Sequence, residues 1–204
     1  MSAEAARRDV APQFDVVAIG ASAGGVEALH VVAAALPADF PVPVLIVQHM
    51  DPRHKSMLAG LLGRRCKLRV KQAVDGEEME GGTVYIAQPA MHLVVRAGRL
   101  VLTDTKLVHF SRPSIDLLFE SVADAYGDRA IAVVLSGSGV DGADGIRDIK
   151  AKGGTTLVQD PSSAAHAGMP QAARATRCVD FTLPLEEIGP ALASLVAPPA
   201  GDET

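Results

Sequence analysis

Asp15-Val16-Val17-Ala18-Ile19-Gly20-Ala21-Ser22-Ala23-Gly24-Gly25 is the stretch that decides the architecture. An apolar run rises out of a polar N-terminal segment, stops at Gly20, presents a hydroxyl at Ser22 and passes through Gly24-Gly25 into a helix-like pattern. A buried strand that turns through a glycine-bracketed Ser straight into a helix has the form of a nucleophile elbow. Gly20, Ala21, Ala23 and Gly24 are small enough for a sharp turn and for close approach of a substrate carbonyl to Ser22. The helix beginning near Gly24 would aim its free N–H groups at the same place. The stretch also reads as a glycine turn cradling a phosphate, and Ser22 as a plain helix N-cap. A catalytic reading needs a base from elsewhere in the chain.

Outward from this elbow, Val26 to Leu36 is helical and apolar nearly all round, and Pro37 and Pro41 end it. Val42 to Val47 is a second near-continuous apolar run, the mark of a strand buried on both faces. It ends at Gln48-His49-Met50. Strand, helix and strand this close together form a right-handed βαβ unit with parallel strands. A short helix is expected at 54–63 and a strand from Leu68 to Ala73. Glycine pairs then punctuate short runs, Thr83 to Ala87, His92 to Arg96 and Arg99 to Leu102, which read as an antiparallel hairpin insertion. Pro113 opens a helix to about Tyr126, with Ser111 or Arg112 near its cap. Ala130 to Leu135 is another buried strand, running into Ser136-Gly137-Ser138-Gly139-Val140-Asp141-Gly142-Ala143-Asp144-Gly145 and a helix to Lys152. A strand at Thr155 to Gln159, a loop and short helix over Asp160 to Ala175 interrupted at Gly168-Met169-Pro170, a strand at Cys178 to Phe181 and a helix at Pro184 to Val196 complete the pattern. The fold expected is α/β: a doubly wound, mostly parallel sheet, a Rossmann-like three-layer sandwich, with an antiparallel hairpin insertion.

Bulk properties narrow the function. A chain of 204 residues with 48% hydrophobic content holds one substantial α/β domain. The net charge of −5 and the lack of a basic cluster argue against a nucleic-acid partner. No apolar run approaches the length of a membrane span, so no membrane insertion is expected. Residues 1–13 lack the apolar core of a signal peptide and read as a disordered tail, 14–196 as the functional domain and 197–204 as a flexible tail. Two unpatterned cysteines, Cys66 and Cys178, fit a reducing, cytoplasmic setting and make neither a disulfide framework nor a zinc set. No His pair or carboxylate cluster has a metal-ligand spacing, so no metal site is expected.

In an open α/β sheet, ligands bind beyond the carboxyl ends of the strands, where strand order switches. Three polar features fall at such ends: Ser22, His49, and the Gly137–Gly145 loop with Asp141. A Ser needs a base to take its proton, an imidazole suits that task, and a carboxylate can orient the imidazole. The order Ser, His, Asp differs from that of α/β-hydrolases. A rival reading remains. Gly137-Ser138-Gly139-Val140-Asp141-Gly142 matches Gly-x-Gly-x-x-Gly after a strand, and could hold a pyrophosphate in a non-enzymatic nucleotide-binding or signalling module. An acidic partner for the ribose would then lie near Gln159-Asp160. Asp141 and Asp144 also read as turn and cap residues, and His30, His54, His92, His109 and His166 as surface or satisfied core residues.

Several long motifs in order resemble the catalytic domain of the chemotaxis protein-glutamate methylesterases, the CheB-type family. They are Ile19 to Gly25, Val47-Gln48-His49-Met50, Val84 to Ala87 with His92-Leu93, Arg112-Pro113-Ser114-Ile115-Asp116-Leu117-Leu118-Phe119, Leu135 to Gly142, and Gly153-Gly154 through Gln159-Asp160 to Gly168-Met169-Pro170. The resemblance implies a cofactor-free Ser-His-Asp esterase that removes methyl groups from receptor glutamates as methanol and can deamidate receptor glutamines. Ser22 would be the nucleophile, His49 the general base and acid, and Asp141 the orienting carboxylate. Ala23, Ser138, Gly139 and Arg112 would form the oxyanion and substrate-binding set. The substrate expected is a methyl-accepting chemoreceptor, or another methylated protein in a non-chemotaxis signalling pathway. Where the family usually has Thr, Met and His, this chain has Ala23, Ser138 and Ser111. The family form also carries an N-terminal receiver domain. Residues 1–13 are too few to hold one, so the chain reads either as a free-standing esterase regulated by a separate partner or as a fragment of a longer protein.

Overall fold

The computed structural model describes residues 13–50, 57–108 and 110–197. The expected tails lie almost wholly outside these residues, as do His54, His109 and the start of the helix expected at 54–63.

The apolar run of the elbow is β1, Val16–Ala21, buried at every position. The strands β2 (Val44–Gln48), β3 (Arg69–Gln72), β4 (Thr83–Ile86), β7 (Ala130–Val134), β8 (Thr155–Gln159) and β9 (Phe181–Leu183) join it in one sheet. Its order is β3-β4-β2-β1-β7-β8-β9, and every adjacent pair is parallel. The chain builds outward from β1 in both directions, so strand order reverses between β1 and β7. That reversal opens a crevice at the carboxyl ends of the central strands.

Burial on both faces explains why the central strands are unbroken apolar runs rather than alternating ones. Val17, Ile19, Val44, Ile46, Ile131 and Val133 face one side, where α1 (Gly25–Ala35), α2 (Leu58–Leu62) and α6 (Leu185–Val196) supply Leu29, Leu62 and Leu192. Val16, Ala18, Leu45, Val47, Ala132 and Val134 face the other side. There α3 (Ile115–Tyr126), α4 (Ala143–Ala151) and α5 (Gly168–Ala175) supply Phe119, Ile146 and Met169. The expected three-layer, doubly wound sandwich is therefore present, with period-2 sidedness inside each apolar run.

The hairpin insertion is smaller than expected. Among the strands of the described residues, only β5 (His92–Arg96) and β6 (Arg99–Thr103) pair antiparallel. Thr83–Ile86 lies instead inside the parallel sheet between β3 and β2. All four of its residues are buried, and Gly81, whose Cβ would lie 2.2 Å from Pro41 O, lets the chain enter tightly against that segment. Three other boundaries also differ. The cap of α3 is Ser114, whose hydroxyl accepts from Leu117 N, rather than Ser111 or Arg112. Gly168-Met169-Pro170 opens α5 instead of interrupting it, since a first-turn Pro lacks only an N–H that would be unpaired anyway. The last strand starts at Phe181, not Cys178, because Asp180 binds back to Thr156 before the ladder begins.

Candidate active site

Ser22 follows directly on β1. Its backbone N–H donates to Ser136 O at 3.0 Å and its carbonyl accepts from Gly25 N at 2.8 Å, which folds the chain sharply into α1. Gly24, at the head of α1, has φ of 71°, a backbone that a side chain rarely adopts. The turn is braced from both sides. Ser136 Oγ donates to Ala23 O at 2.8 Å and accepts from His166 N at 3.0 Å. Gln48 Nε2, buried in β2, donates to Ser22 O and to His49 O, each at 2.8 Å. One amide group thus ties the Ser22 turn to the His49 turn.

His49 is placed by the sheet register. Ala21 and Gln48 are partners across β1 and β2, and His49 N donates to Ala21 O at 3.0 Å. The ring of His49 reaches across the rim, and Nε2 meets Asp141 Oδ2 at 2.9 Å. Asp141 is buried in a cradle of donors. Ser114 Oγ donates to Oδ1 at 3.2 Å, Asp116 N to Oδ1 at 2.9 Å, and Ile115 N to Oδ2 at 2.9 Å. The two N–H groups belong to the first turn of α3, where the helix dipole favours negative charge. Burial pushes the Asp141 carboxyl up, but the His49 hydrogen bond and the Ile115 and Asp116 amides outweigh it and hold the group down at about 2. Asp141 is therefore ionised at neutral pH and can only accept. Nε2 of His49 must carry the proton, which leaves Nδ1 of a neutral ring as the acceptor nitrogen.

The predicted residues converge unequally. Ser22, His49 and Asp141 come from the ends of β1, β2 and β7 to one rim. No hydrogen bond joins Ser22 to His49 among the described residues. The Gly137–Gly139 loop lies against Ser22, and a Cβ at Gly137 would come within 2.9 Å of Ser22 Cβ. The Ala23, Ser138 and Gly139 amides have no partner among the described residues, whereas Gly137 N is bound to His166 O. Arg112 lines a cavity of about 250 Å³ with His49, Met50, Leu107, Phe110 and Ser111. Its Nη1 donates to Asp104 O and Thr105 O, so part of the guanidinium holds the 104–105 loop. A second cavity of about 280 Å³ runs from His49 and Phe110 to Ser138, Gly139 and Asp141. A larger one, about 420 Å³, lies between β5 and α3. It holds no imidazole or thiol, and its Ser121 hydroxyl joins Leu118 O to Val95 N.

The pyrophosphate reading fails on geometry. In such a motif the phosphate sits on the free amides of the helix N-terminus. Here Gly142 N and Gly145 N, at the start of α4, each donate at 2.8 Å to Asp116 Oδ1. A carboxylate occupies the place a phosphate would need. Asp160, the proposed ribose partner, accepts instead from Ser162 N and Oγ. No group of three or more His, Cys, Asp or Glu residues able to hold a metal occurs among the described residues.

Gln48, Ser114, Asp116 and Ser136 were not singled out from the sequence for a role in the site. Two of them lie inside recognisable motifs, Gln48 before His49 and Asp116 three residues after Pro113, but their roles depend on contacts between distant segments.

A parallel sheet with Ser, His and Asp gathered at its switch point defines an α/β protein of the hydrolase kind. The chain belongs to the CheB methylesterase family, whose model matches residues 17–192. It is 44% identical over 193 residues to protein-glutamate methylesterase/protein-glutamine glutaminase 2 of Anaeromyxobacter dehalogenans, covering 93% of this chain and 57% of that one. A relative in Leptospira interrogans, provisionally given the same activities in its name, is 39% identical over 176 residues, covering 86% of this chain and 91% of its own. The crystal structure of the Thermotoga maritima CheB methylesterase catalytic domain superposes with a TM-score of 0.86 at 35% identity, covering 90% of this chain and 99% of that domain. The expected family and fold are borne out.

Proposed function

We propose that this chain hydrolyses methyl esters of glutamate side chains on a methylated chemoreceptor, releasing methanol. The observation that carries the mechanism is the 2.9 Å contact between His49 Nε2 and a buried, ionised Asp141, one strand away from Ser22. Ser22 Oγ attacks the ester carbonyl as its proton passes to His49 Nδ1. Asp141 stabilises the imidazolium that forms. The carbonyl oxygen becomes an oxyanion, held by the Ala23 amide and by amides of the Ser138-Gly139 loop; such a donor contributes about 3 kcal/mol in a comparable setting. His49 returns the proton to the methoxy oxygen, the C–O bond breaks, and methanol leaves a glutamyl ester on Ser22. Water, deprotonated by His49, then hydrolyses that ester, restoring Ser22 and leaving a glutamate carboxylate. A receptor glutamine follows the same course with ammonia as the leaving group.

The protein acts in the cytoplasm, on the cytoplasmic part of the receptor. Among the described residues no helix is long and apolar enough to cross a membrane, in keeping with a substrate that is reached from solution. The direct test is methanol release from methylated receptor membranes. Wild type should release it, and Ser22→Ala should lose it by at least about 10³-fold, the scale set by removal of a serine nucleophile. No release by wild type from several methylated receptors would overturn the reading.

A further inference from the structure

Asp141 and Asp116 each cap the other's helix. Asp141, just ahead of α4, accepts from Ile115 N and Asp116 N in the first turn of α3. Asp116, in that turn, accepts through Oδ1 from Gly142 N and Gly145 N at the start of α4. The N-cap of α4 is Gly142, which offers no side chain of its own, so the cap has to come from elsewhere. Sequence and packing make the exchange possible. Gly142 has φ of 97°, and a Cβ at Gly145 would lie 2.5 Å from Phe119 Cβ, so only glycine lets α4 approach α3 this closely. The two aspartates are also joined directly, since Asp116 N–H donates to Asp141 Oδ1 at 2.9 Å, and the Asp116 side chain holds Gly142 N, next to Asp141 in the chain. Burial, partly offset by the Gly145 amide and reinforced by the neighbouring Asp141 charge, raises the Asp116 carboxyl to about 6.

We propose that Asp116 is a positioning residue that fixes the Asp141 carboxylate against His49. Through its two amide contacts it locks the start of α4, and with it the Val140–Gly142 turn that carries Asp141. With the turn locked, the Ile115 and Asp116 amides meet Asp141 in one rotation, so that Oδ2 stays aimed at Nε2. The proposal rests on the reading of Ser22, His49 and Asp141 as the catalytic set. It predicts that an amide should replace the carboxyl. In Asp116→Asn the side-chain oxygen still accepts from Gly142 N and Gly145 N, so the start of α4 stays locked.

The test uses Asp116→Asn and Asp116→Ala, the latter also in an Asp141→Ala background. Two readouts are needed: the NMR resonance of the His49 Nε2 proton, which reports its hydrogen bond to Asp141, and the labelling rate of Ser22 by a fluorophosphonate. Asp116→Ala should lose the hydrogen-bonded resonance and slow labelling by about tenfold or more, while Asp116→Asn restores both to within about twofold. In the Asp141→Ala background, Asp116→Ala should cost nothing further, since its effect passes through Asp141. A folded Asp116→Ala with the wild-type resonance and rate would overturn the proposal. So would an Asp116→Asn as impaired as Asp141→Ala, and this outcome decides the matter even if the alanine variant does not fold. An unlabelled wild type that keeps the His49 resonance would count against the catalytic reading instead, and the resonance in the variants would still decide the role of Asp116.

Discussion

At the scale of single residues, the site depends on a few buried polar groups that each join distant segments. Gln48 Nε2 serves two carbonyls, those of Ser22 and His49, in a place where water has little access. Gln48→Met keeps the volume but leaves His49 O without this partner and Ser22 O with Gly25 N alone. Leaving one buried group unsatisfied costs about 1–3 kcal/mol, and urea denaturation should show a loss in that range. Ser22 and His49 would also lose their mutual reference, and the fluorophosphonate labelling rate should fall by about tenfold, which corresponds to 1.4 kcal/mol of lost alignment. The two aspartates titrate in opposite senses. Asp141, held near 2 against an ordinary 3.8, contributes stability that is present above about pH 4 and lost as pH falls towards 2. Asp116, raised to about 6 from 3.8, contributes stability that is present below about pH 4 and lost as pH rises through 6. Asp116→Asn removes only the second effect. Relative to wild type it should be about equal in stability at pH 4 and more stable by roughly 1–3 kcal/mol at pH 7.5, measured by denaturant titration at both values. An equal difference at both pH values would contradict the assignment. His92, pushed down by burial, is the neutral partner between Ser114 N and Lys106 O, which joins the hairpin to the head of α3.

At the scale of elements, α3 is the part against which the site is built. Its first turn cradles Asp141, and Ile115 packs on Gly20 of β1, where a Cβ would lie 2.3 Å from Ile115 Cγ2. Gly20→Ala should therefore destabilise by about 1–3 kcal/mol through overpacking. Ile115→Ala, which removes Cγ2, should make Gly20→Ala cost less in the double variant than alone, a coupling that a thermal-melt double-mutant cycle would detect. Ser114→Ala removes both the α3 cap and a donor to Asp141, and should cost about 1 kcal/mol or more. Much of this level was legible in the sequence. Val16–Ala21, Val44–Gln48 and Ala130–Val134 are buried on both faces, so each is a continuous apolar run that can hardly be anything but a central parallel strand. Thr83–Ile86 has the same character, but its flanking Gly81-Gly82 resembled hairpin punctuation, and its place between β3 and β2 depends on long-range pairing. Phe181–Leu183 is an edge strand, exposed at two of its three positions, and so leaves little pattern to read.

At the scale of the whole molecule, the sheet's reversal between β1 and β7 turns three distant segments into one rim. Ser22, His49 and Asp141 were legible because each follows an apolar run, and the topology brings the ends of such runs together. Asp116, Ser114 and Ser136 were not, since a Ser or Asp that braces a neighbouring turn looks in sequence like any other polar residue. Only the packing of α3 against α4 and of the Ser136 loop against Ala23 gives them their roles. The central claim is that His49, oriented by Asp141, activates Ser22. The measurement that tests it most directly is the rate of fluorophosphonate labelling, with the modified residue located by mass spectrometry, in wild type and His49→Ala. The account predicts stoichiometric labelling of Ser22 in wild type and a fall of about 10³-fold or more in the variant. Labelling of Ser22 at an equal rate in both proteins, or labelling of a different serine, would contradict it.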